Sequence, residues 1–425
     1  MSHSRTTELI CLGDELLIGL RANDHLTFIG KHLSDVGLPL TRSQEISDKR
    51  EEIENAVKDA WKRSDLVIIT GGLGPTEDDR TRESVAEALG TGLVHNLATE
   101  EKLNEFFRQR GYAMSQTNLK QCLILEGAEV LENTRGTAPG QWFERDGKVL
   151  VLLPGPPKEL RPLFVEQILP RLDTLGWTKG DDYTVRFRTS GVGESLLAER
   201  LEASLSDIRG SLDIAYCAHE GFVDVRLHPN SGIVDPDLLK HAEERCKTEL
   251  GVDYVGRGEP DLACLILKHL RSLDSCLAVA ESCTGGLLSS RFTDIAGASK
   301  VFKGGVVCYR NEIKSNWLDV PECLLEQHGA VSPEVAVAMA NGIAERMGTD
   351  YALSITGFAG PEGGNEPVGT IYLGYVSPVG IWSHKLIAPG SRPRIKARAV
   401  NGALDFMRRK LQKYATQDFL RCMCV

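Results

Sequence analysis

The sequence predicts an α/β protein built from two α/β domains with mainly parallel sheets, joined by a small α+β module. Three observations predict it. Short β-rich apolar runs alternate with amphipathic stretches in the first part of the chain and again in the last. The buried runs end in glycine- or proline-containing turns. Between residues 171 and 255 the runs instead alternate apolar with polar residues, as in strands with one solvated face. The boundaries read as 1–170, 171–255 and 256–425. A chain of 425 residues, 42% hydrophobic and 25% charged, has ordinary globular composition and is too long for one core.

In chain order, "ELICLG" is strand-like. Asn23 or Asp24 can then cap a helix that carries Leu26, Ile29, Leu33 and Val36 on one face and stops at Gly37. "LPLTRSQEI", a helix through Ile53 and Val57, and "DLVIIT" continue the alternation, and "KVLVLLPGPP" adds another buried strand. In the middle, "DYTVRFRT", "LDIAYCAH" and "FVDVRLHP" are strands flanking the helical "GESLLAERLEASL", and "GRGEPD" is a linker. Beyond it, "CLAVAES" is a strand followed by a helix with Leu288, Phe292 and Ile295 on one face, ending at Gly297. "GGVVCY" is the next strand, and Asn311 can cap the helix after it. Ser332 with Pro333 marks a helix start, since serine accepts free amides and proline at the first position forfeits none. "YALSIT" and "GTIYLGYV" are further strands.

The 49 Lys and Arg against 59 Asp and Glu give a net charge of -10, which disfavours nucleic acid as a partner. No apolar run approaches the ~18 residues that cross a bilayer, and "MSHSRTTELICLGDE" lacks the plan of a secretory leader. The expectation is a cytoplasmic protein with no membrane partner. Eleven scattered cysteines read as reduced thiols. Cys422 and Cys424 form the only close pair, with no His or Cys cluster beside it to suggest zinc.

Loops leaving the carboxyl ends of parallel strands meet along one edge, where such folds bind ligands. Ser282, Tyr309 and Thr356 each fall at such an end. In "AESCTGGLLSS" the next helix is expected to begin near Thr284, which leaves the amides of Thr284, Gly285 and Gly286 open to an anion. The same residues also suit a plain capped turn, with Cys283 as a core residue. Ser282 needs a base to become a nucleophile, and Lys314 in "YRNEIK" offers an amine. A cation in a helix's first turn loses only about 0.3–1 kcal/mol to the dipole, so burial must contribute more before Lys314 acts as a neutral base. "TGFAGPEGGNEPVGT" permits close backbone approach to a ligand or forms a surface hairpin, and it lacks the Gly-Lys-Ser/Thr of a phosphate-binding Walker loop.

"TGGLGPTEDDRT" runs Thr-Gly-x-x-Gly-Pro after a buried strand, as "TGFAGP" does. It sets Asp78 and Asp79 at a helix entrance, and Asp48 with Glu51 has capping-box-like spacing. These acids either complement helix ends or, with Asp14 and Glu15 of "GDELLIG", form a site of Mg2+ type that a substrate's phosphates complete.

Taken together, "GDELLIGLRAND", "TGGLGPTEDDRT", "GTAPGQW", "LPGPPKEL", "AVAESCTGGLLSSRFTD", "GGVVCYRNEIK", "HGAVSPEVAVAMANG" and "ITGFAGP" resemble the competence/damage-inducible CinA family over essentially the whole chain. The resemblance implies a molybdopterin-binding-like first domain, a KH-like middle and a carboxyl-terminal amidohydrolase. That enzyme would convert nicotinamide mononucleotide to nicotinic acid mononucleotide and ammonia in pyridine nucleotide salvage. It would use Ser282, Tyr309 and Lys314 for catalysis, and no cofactor. Thr284, Gly285, Gly286, Asn311, Thr356, Gly357 and Gly360 would surround the substrate, with Arg392 at its phosphate. The first domain would cleave ADP-ribose with a divalent metal on Asp48 and Asp79, beside Asn23, Gly71, Gly72, Gly74, Thr76 and Asp78. Because Asp78 adjoins Asp79, motif matching leaves open which of them holds the metal. Family likeness implies nucleotide ligands, and a homodimer is expected because parallel-sheet domains with extra elements often pair. Two other readings stand beside it. One is a first domain that binds a molybdopterin-like ligand without turnover. The other is a regulator acting through the middle module, which lacks the GXXG clamp of RNA-binding KH domains.

Overall fold

In a computed structural model, residues 5–180, 183–230 and 235–422 are described, with side chains as far as residue 414; Cys424 and the side chain of Cys422 lie outside them. The chain divides into two compact units, Met1–Thr184 with Val234–Pro236, and Val185–Ile233 with Asp237–Val425.

The first unit holds strands β1 (Thr7–Leu12), β2 (Arg42–Ile46), β3 (Leu66–Thr70), β4 (Leu93–His95), β5 (Leu123–Leu125), β6 (Glu129–Leu131), β7 (Gly140–Arg145) and β8 (Lys148–Leu153). Six of them form one sheet in the order β2-β1-β3-β8-β7-β6, while β4 pairs with β5. The run from β2 to β8 is parallel, and β7 and β6 return antiparallel. β1, β3 and β8 are apolar at nearly every position because both faces of the sheet are covered. Leu9, Ile68 and Val151 face Ile29 and Leu33 of helix Asp24–Asp35. Ile10, Val67 and Leu150 face Val57 of helix Arg50–Arg63 and Val85 of helix Thr81–Leu89.

Asn23 caps helix Asp24–Asp35 by accepting the Leu26 amide at 2.9 Å, although Leu26 itself stays exposed rather than joining the apolar face. The capping reading of Asp48 is corrected. Lys49 flanks helix Arg50–Arg63, and Asp48 turns away to accept the Asp14 amide at 3.3 Å.

The second unit holds β9 (Val185–Ser190), β10 (Leu212–Ala218), β11 (Phe222–Pro229), β12 (Tyr254–Arg257), β13 (Leu277–Glu281), β14 (Phe302–Val307), β15 (Tyr351–Gly357), β16 (Thr370–Ser377) and β17 (Gly380–Ile387). β10-β11-β9-β12 is an antiparallel sheet whose apolar side packs on helices Glu194–Ser204 and Pro236–Leu250. The larger sheet runs β14-β13-β15-β16-β17, with β14, β13 and β15 parallel and the last two strands antiparallel. Helix Pro333–Met347 covers one face, while helices Leu262–Ser272 and Arg392–Cys422 cover the other. Within this unit Arg409 ties helix Arg392–Cys422 to the smaller sheet, donating to Asp253 at 2.8 Å and to the Ser190 carbonyl at 2.6 Å.

Ser332 caps helix Pro333–Met347 by accepting the Val335 amide at 3.3 Å, with proline in the first turn as the sequence indicates. Gly342 lets this helix close on its neighbour, since a Cβ there would lie 1.9 Å from the Leu318 carbonyl oxygen. Asn311 is not a cap. It is the first residue of helix Asn311–Leu318, flanked by Arg310. Among the described residues no helix is long and apolar enough to cross a membrane, and nine cysteines are free thiols.

Candidate functional site

The larger sheet brings three distant segments to one edge. Glu281, the last residue of β13, stands opposite Val307 of β14 and Ile355 of β15. One residue further, the Ser282 amide donates to the Ile355 carbonyl at 2.9 Å, and the Cys308 amide donates to the Glu281 carbonyl at 2.8 Å. Ser282, Cys308 and Thr356 therefore leave three adjacent strands at one level, with strands about 4.8 Å apart. Ser282 is 8% exposed.

The bend after Ser282 differs from the sequence expectation. The helix begins at Leu287, not near Thr284, with Gly286 before it in the left-handed region at φ 95°. Its free amides are already taken. The Glu281 carboxylate accepts the amides of Gly286 at 3.1 Å, Leu288 at 2.9 Å and Ser289 at 2.8 Å, and the Ser289 hydroxyl at 2.7 Å. A buried carboxylate from the strand thus fills the place expected for a bound anion, and Gly286 has no free amide to offer one. The Gly285 amide donates to the Ser282 carbonyl at 3.2 Å. The amides of Cys283 and Thr284 remain on the bend. Thr284 is fully buried, and its hydroxyl has no hydrogen-bond partner in the protein.

Lys314 is 1% exposed although it sits in the first turns of an otherwise partly solvated helix. Burial pushes its ammonium below the ordinary lysine range, and the nearby Cys308, Cys283 and Glu312 oppose this only in part. Burial thus supplies what the weak dipole effect could not. The Nζ donates to the Tyr309 carbonyl at 3.4 Å. Burial also lifts the thiols of Cys283 to about 12 and Cys308 to about 11, so neither is a ready nucleophile. Cys283 belongs to the apolar core.

Tyr309 is 58% exposed, and its hydroxyl accepts a hydrogen bond from Arg392 at 3.0 Å. Arg392 also donates to the Gly360 carbonyl. One guanidinium thus joins three segments that the sequence analysis singled out. The Thr356 hydroxyl donates to the Ala330 carbonyl at 2.7 Å, and Gly357 packs where a Cβ would meet Ile371 at 2.3 Å. Asn311 lies exposed at the rim. Lys396, one helical turn after Arg392, was missed; its Nζ lies 3.7 Å from where a Cβ on Gly285 would be.

In the first unit, Asn23, Asp48, Gly71, Gly72, Asp78 and Asp79 line one cleft of about 760 Å³. A second space of about 320 Å³ shares Gly72 and Asp79 with it and adds Gly74. The Asp79 carboxylate accepts the amide and hydroxyl of Thr76 at 3.0 and 2.5 Å, so Thr76 orients an acid. Gly74 allows this, because a Cβ there would fall 2.3 Å from Asp79. Burial raises the Asp48 carboxyl above its usual range, with the negative charges of Asp14, Glu15 and Asp78 adding to the shift against the Asp14 amide. Among the described residues no group of three or more His, Cys, Asp or Glu side chains is arranged to hold a metal ion by itself.

Two residues here escaped sequence reasoning. Burial pushes His25 below its usual range. Its Nε2 donates to the Gly155 carbonyl at 2.7 Å, which leaves Nδ1 to accept from the Thr70 hydroxyl at 2.9 Å. Arg82, with no exposed surface, donates to the carbonyls of Leu73 and Gly74 at 2.9 Å each, pinning the glycine loop from below.

Comparison with known proteins agrees with this two-part layout. The model of the "CinA C-terminal domain" matches residues 259–411. That of the "Probable molybdopterin binding domain" matches residues 8–174. A CinA-like protein of Dictyoglomus thermophilum is 39% identical over 409 residues, covering 95% of this chain and 98% of that one. A CinA-like protein of Kosmotoga olearia is 40% identical over 408 residues, with the same coverage of each, 95% and 98%. The solved structure of a CinA protein of Thermoplasma acidophilum shares 33% identity, covering 41% of this chain and 98% of its own, with a TM-score of 0.36. With full-length relatives of that identity and both halves matched in order, the chain belongs to the CinA family.

Proposed function

We propose that the carboxyl-terminal site hydrolyses the carboxamide of nicotinamide mononucleotide, giving nicotinic acid mononucleotide and ammonia. The observation that carries this reading is the buried, charge-disfavoured Lys314, within electrostatic reach of Cys283, the residue after Ser282. An uncharged amine can take the hydroxyl proton of Ser282 as its oxygen attacks the carboxamide carbon, and can return it to the departing ammonia. Water then restores the serine and releases the acid. The amides of Cys283 and Thr284 are the donors left for the developing oxyanion, each worth about 2.7–4 kcal/mol in comparable sites. Arg392 holds Tyr309 and suits the substrate's phosphate. The test is release of ammonia by the purified chain from nicotinamide mononucleotide. Absence of turnover at any pH between neutral and alkaline would end this reading.

A second activity rests on the acid-lined cleft of the first unit: metal-dependent cleavage of ADP-ribose to AMP and ribose 5-phosphate. Burial raises the Asp48 carboxyl, and the neighbouring charges of Asp14, Glu15 and Asp78 add to the shift; a cation would offset that added repulsion. A Mg2+-type ion needs only one or two protein carboxylates when substrate phosphates complete its shell. Asp48 would hold it with Asp79 or Asp78, and the ion would supply neutralisation of the pyrophosphate. Thr76 keeps Asp79 in one orientation, and Arg82 and His25 fix the loops on either side.

A further inference from the structure

Neither proposed reaction uses the antiparallel sheet β10-β11-β9-β12, yet that sheet borders a space of about 650 Å³ within the second unit. Three parts of the chain line it: the loop between β9 and helix Glu194–Ser204, the turn between β10 and β11, and the end of β17 with helix Arg392–Cys422. A space of this size is ordinary for a small-molecule site. None of its lining residues belongs to the site at Ser282 or to the acid-lined cleft.

On the long helix, Arg398, Gly402, Asp405 and Arg409 are spaced by four, three and four residues and so mark one stripe along the space. From first to last that stripe is about 16 Å long at 1.5 Å per residue. Gly402 lets the helix lie against β17, since a Cβ there would fall 2.5 Å from Leu386. The side chains of Val192, Phe222, Leu386, Ile387 and Phe406 make most of the remaining wall apolar. Both rings are already engaged, Phe222 with the Arg188 guanidinium at 3.9 Å and Phe406 with His384 at 5.1 Å. The walls therefore suit a flexible apolar chain better than a stacked base.

Charge divides along the stripe. At the Arg409 end it balances within the protein, because Asp405 accepts from Arg408 at 2.9 Å and from Arg409 at 2.7 Å, and Arg409 also reaches Asp253 at 2.8 Å. Glu194 stands at this end too, three residues after Gly191, where a Cβ would collide with the Arg409 guanidinium. At the other end Arg398 donates to the Pro389 carbonyl and meets no carboxylate among the described residues. The acid of the β10–β11 turn, Glu220, is paired with Arg394 at 3.3 Å. His219 has Asp224 at 3.2 Å, and partial burial, with the charges of Lys410 and Arg409, holds His384 below its usual range. One uncompensated cation at one end of an apolar slot is complementary to a single negative charge on an elongated apolar body.

We infer that this space is a binding site for a monocarboxylate with a flexible apolar chain, its carboxylate on Arg398 and its chain laid over Gly402 toward Phe406. The site is separate from both proposed reactions and gives the smaller sheet a ligand-binding role.

Calorimetry on the full chain with octanoate and octanamide, which share a chain and differ in charge, tests it. Octanoate should bind one per chain, and octanamide about tenfold more weakly. Arg398→Gln should weaken octanoate about tenfold, the scale of one charge-assisted hydrogen bond, and leave octanamide unchanged. Ala218→Trp, at an exposed position in the lining, should fill the space and remove both ligands, with the thermal midpoint reporting that the variant folds. Arg392→Gln should bind octanoate as the wild type does, which separates this space from the site at Ser282. No octanoate binding, equal binding of acid and amide, octanoate binding that survives Ala218→Trp in a folded chain, or equal losses in Arg392→Gln and Arg398→Gln would each overturn the assignment. None of these readings depends on release of ammonia or cleavage of ADP-ribose, so they stand or fall apart from the proposed reactions.

Discussion

The Glu281 carboxylate accepts both the backbone amide and the hydroxyl of Ser289, at 2.8 and 2.7 Å, and so closes the start of the helix that follows Ser282. With the amides of Gly286 and Leu288 also directed at it, the carboxylate receives only donors. An anion bound here would therefore be left to side-chain cations, of which Arg392 and Lys396 stand near the bend.

Glu281→Gln tests that arrangement. A carboxamide keeps the size but turns an NH2 group toward buried donors, leaving at least one of them unsatisfied at a cost of about 1–3 kcal/mol. Denaturant unfolding should show that loss. Because Ser282 is the next residue, kcat for ammonia release should fall while KM changes little. Wild-type stability and turnover in this variant would remove Glu281 from the argument.

The strands themselves, though not their order in the sheets, were legible because β1, β3, β8, β13 and β15 are short, largely apolar buried runs. The caps Asn23 and Ser332 were legible for local reasons, as each accepts an amide three residues on. Glu281 was not. It reads as the end of a strand, and only the bend reveals that its side chain reaches amides five to eight residues later. His25 was hidden by distance along the chain, its partners being Thr70 and Gly155. Burial of Lys314 depends on how its helix packs, which no local spacing records. Lys396 lies inside a long helix whose periodicity gives no sign that its first turns face the bend.

Lys314 predicts two pH dependences of known sign. Its pKa is depressed in the folded chain, so the free amine proposed to accept the Ser282 proton accumulates at a lower pH than for an exposed lysine. The profile of kcat/KM should therefore rise with pH through a limb lying below the usual lysine value of about 10.4. Cys283 and Cys308 stay protonated until about 12 and 11, and the Glu312 carboxyl is held below its usual range, so none of these three titrates on that limb. For stability, the cost of burying the ammonium is fully present below the folded pKa and disappears as pH rises through the unfolded one. Lys314→Met should unfold at a higher temperature than wild type at neutral pH and lose that advantage in alkali. Lys314→Arg, which has no accessible neutral form, should lack activity throughout.

Arg392 predicts a separation of binding from chemistry. Its guanidinium reaches the Tyr309 hydroxyl and the Gly360 carbonyl. Arg392→Gln should raise KM for nicotinamide mononucleotide about tenfold, the scale of one charge-assisted hydrogen bond at an exposed site. Turnover of nicotinamide riboside, which lacks the phosphate, should change far less. Equal losses with both substrates would show instead that Arg392 acts by holding the Tyr309 and Gly360 segments together.

In the first unit, Asp79 serves both the loop and the proposed metal, and two substitutions separate these duties. Asp79→Asn keeps an oxygen that accepts from the Thr76 amide and hydroxyl, so the loop and the thermal midpoint should be preserved. It removes the charge, and metal-dependent cleavage of ADP-ribose should fall by about a hundredfold, in line with losing a charged group that orients and neutralises a metal–phosphate pair. Asp79→Ala should lose the same activity and also lower the midpoint slightly, because the exposed Thr76 turn loses its acceptor, a hydrogen bond worth about 0.5–1.5 kcal/mol. Asp48 lies outside the Thr76 turn and accepts only the Asp14 amide. Asp48→Asn should reduce cleavage without disturbing the loop, and raising the Mg2+ concentration should recover part of the rate. If Asp79→Asn cleaves ADP-ribose at the wild-type rate while Asp79→Ala unfolds early, the carboxylate is a loop anchor alone and the metal must sit on Asp48 and Asp78.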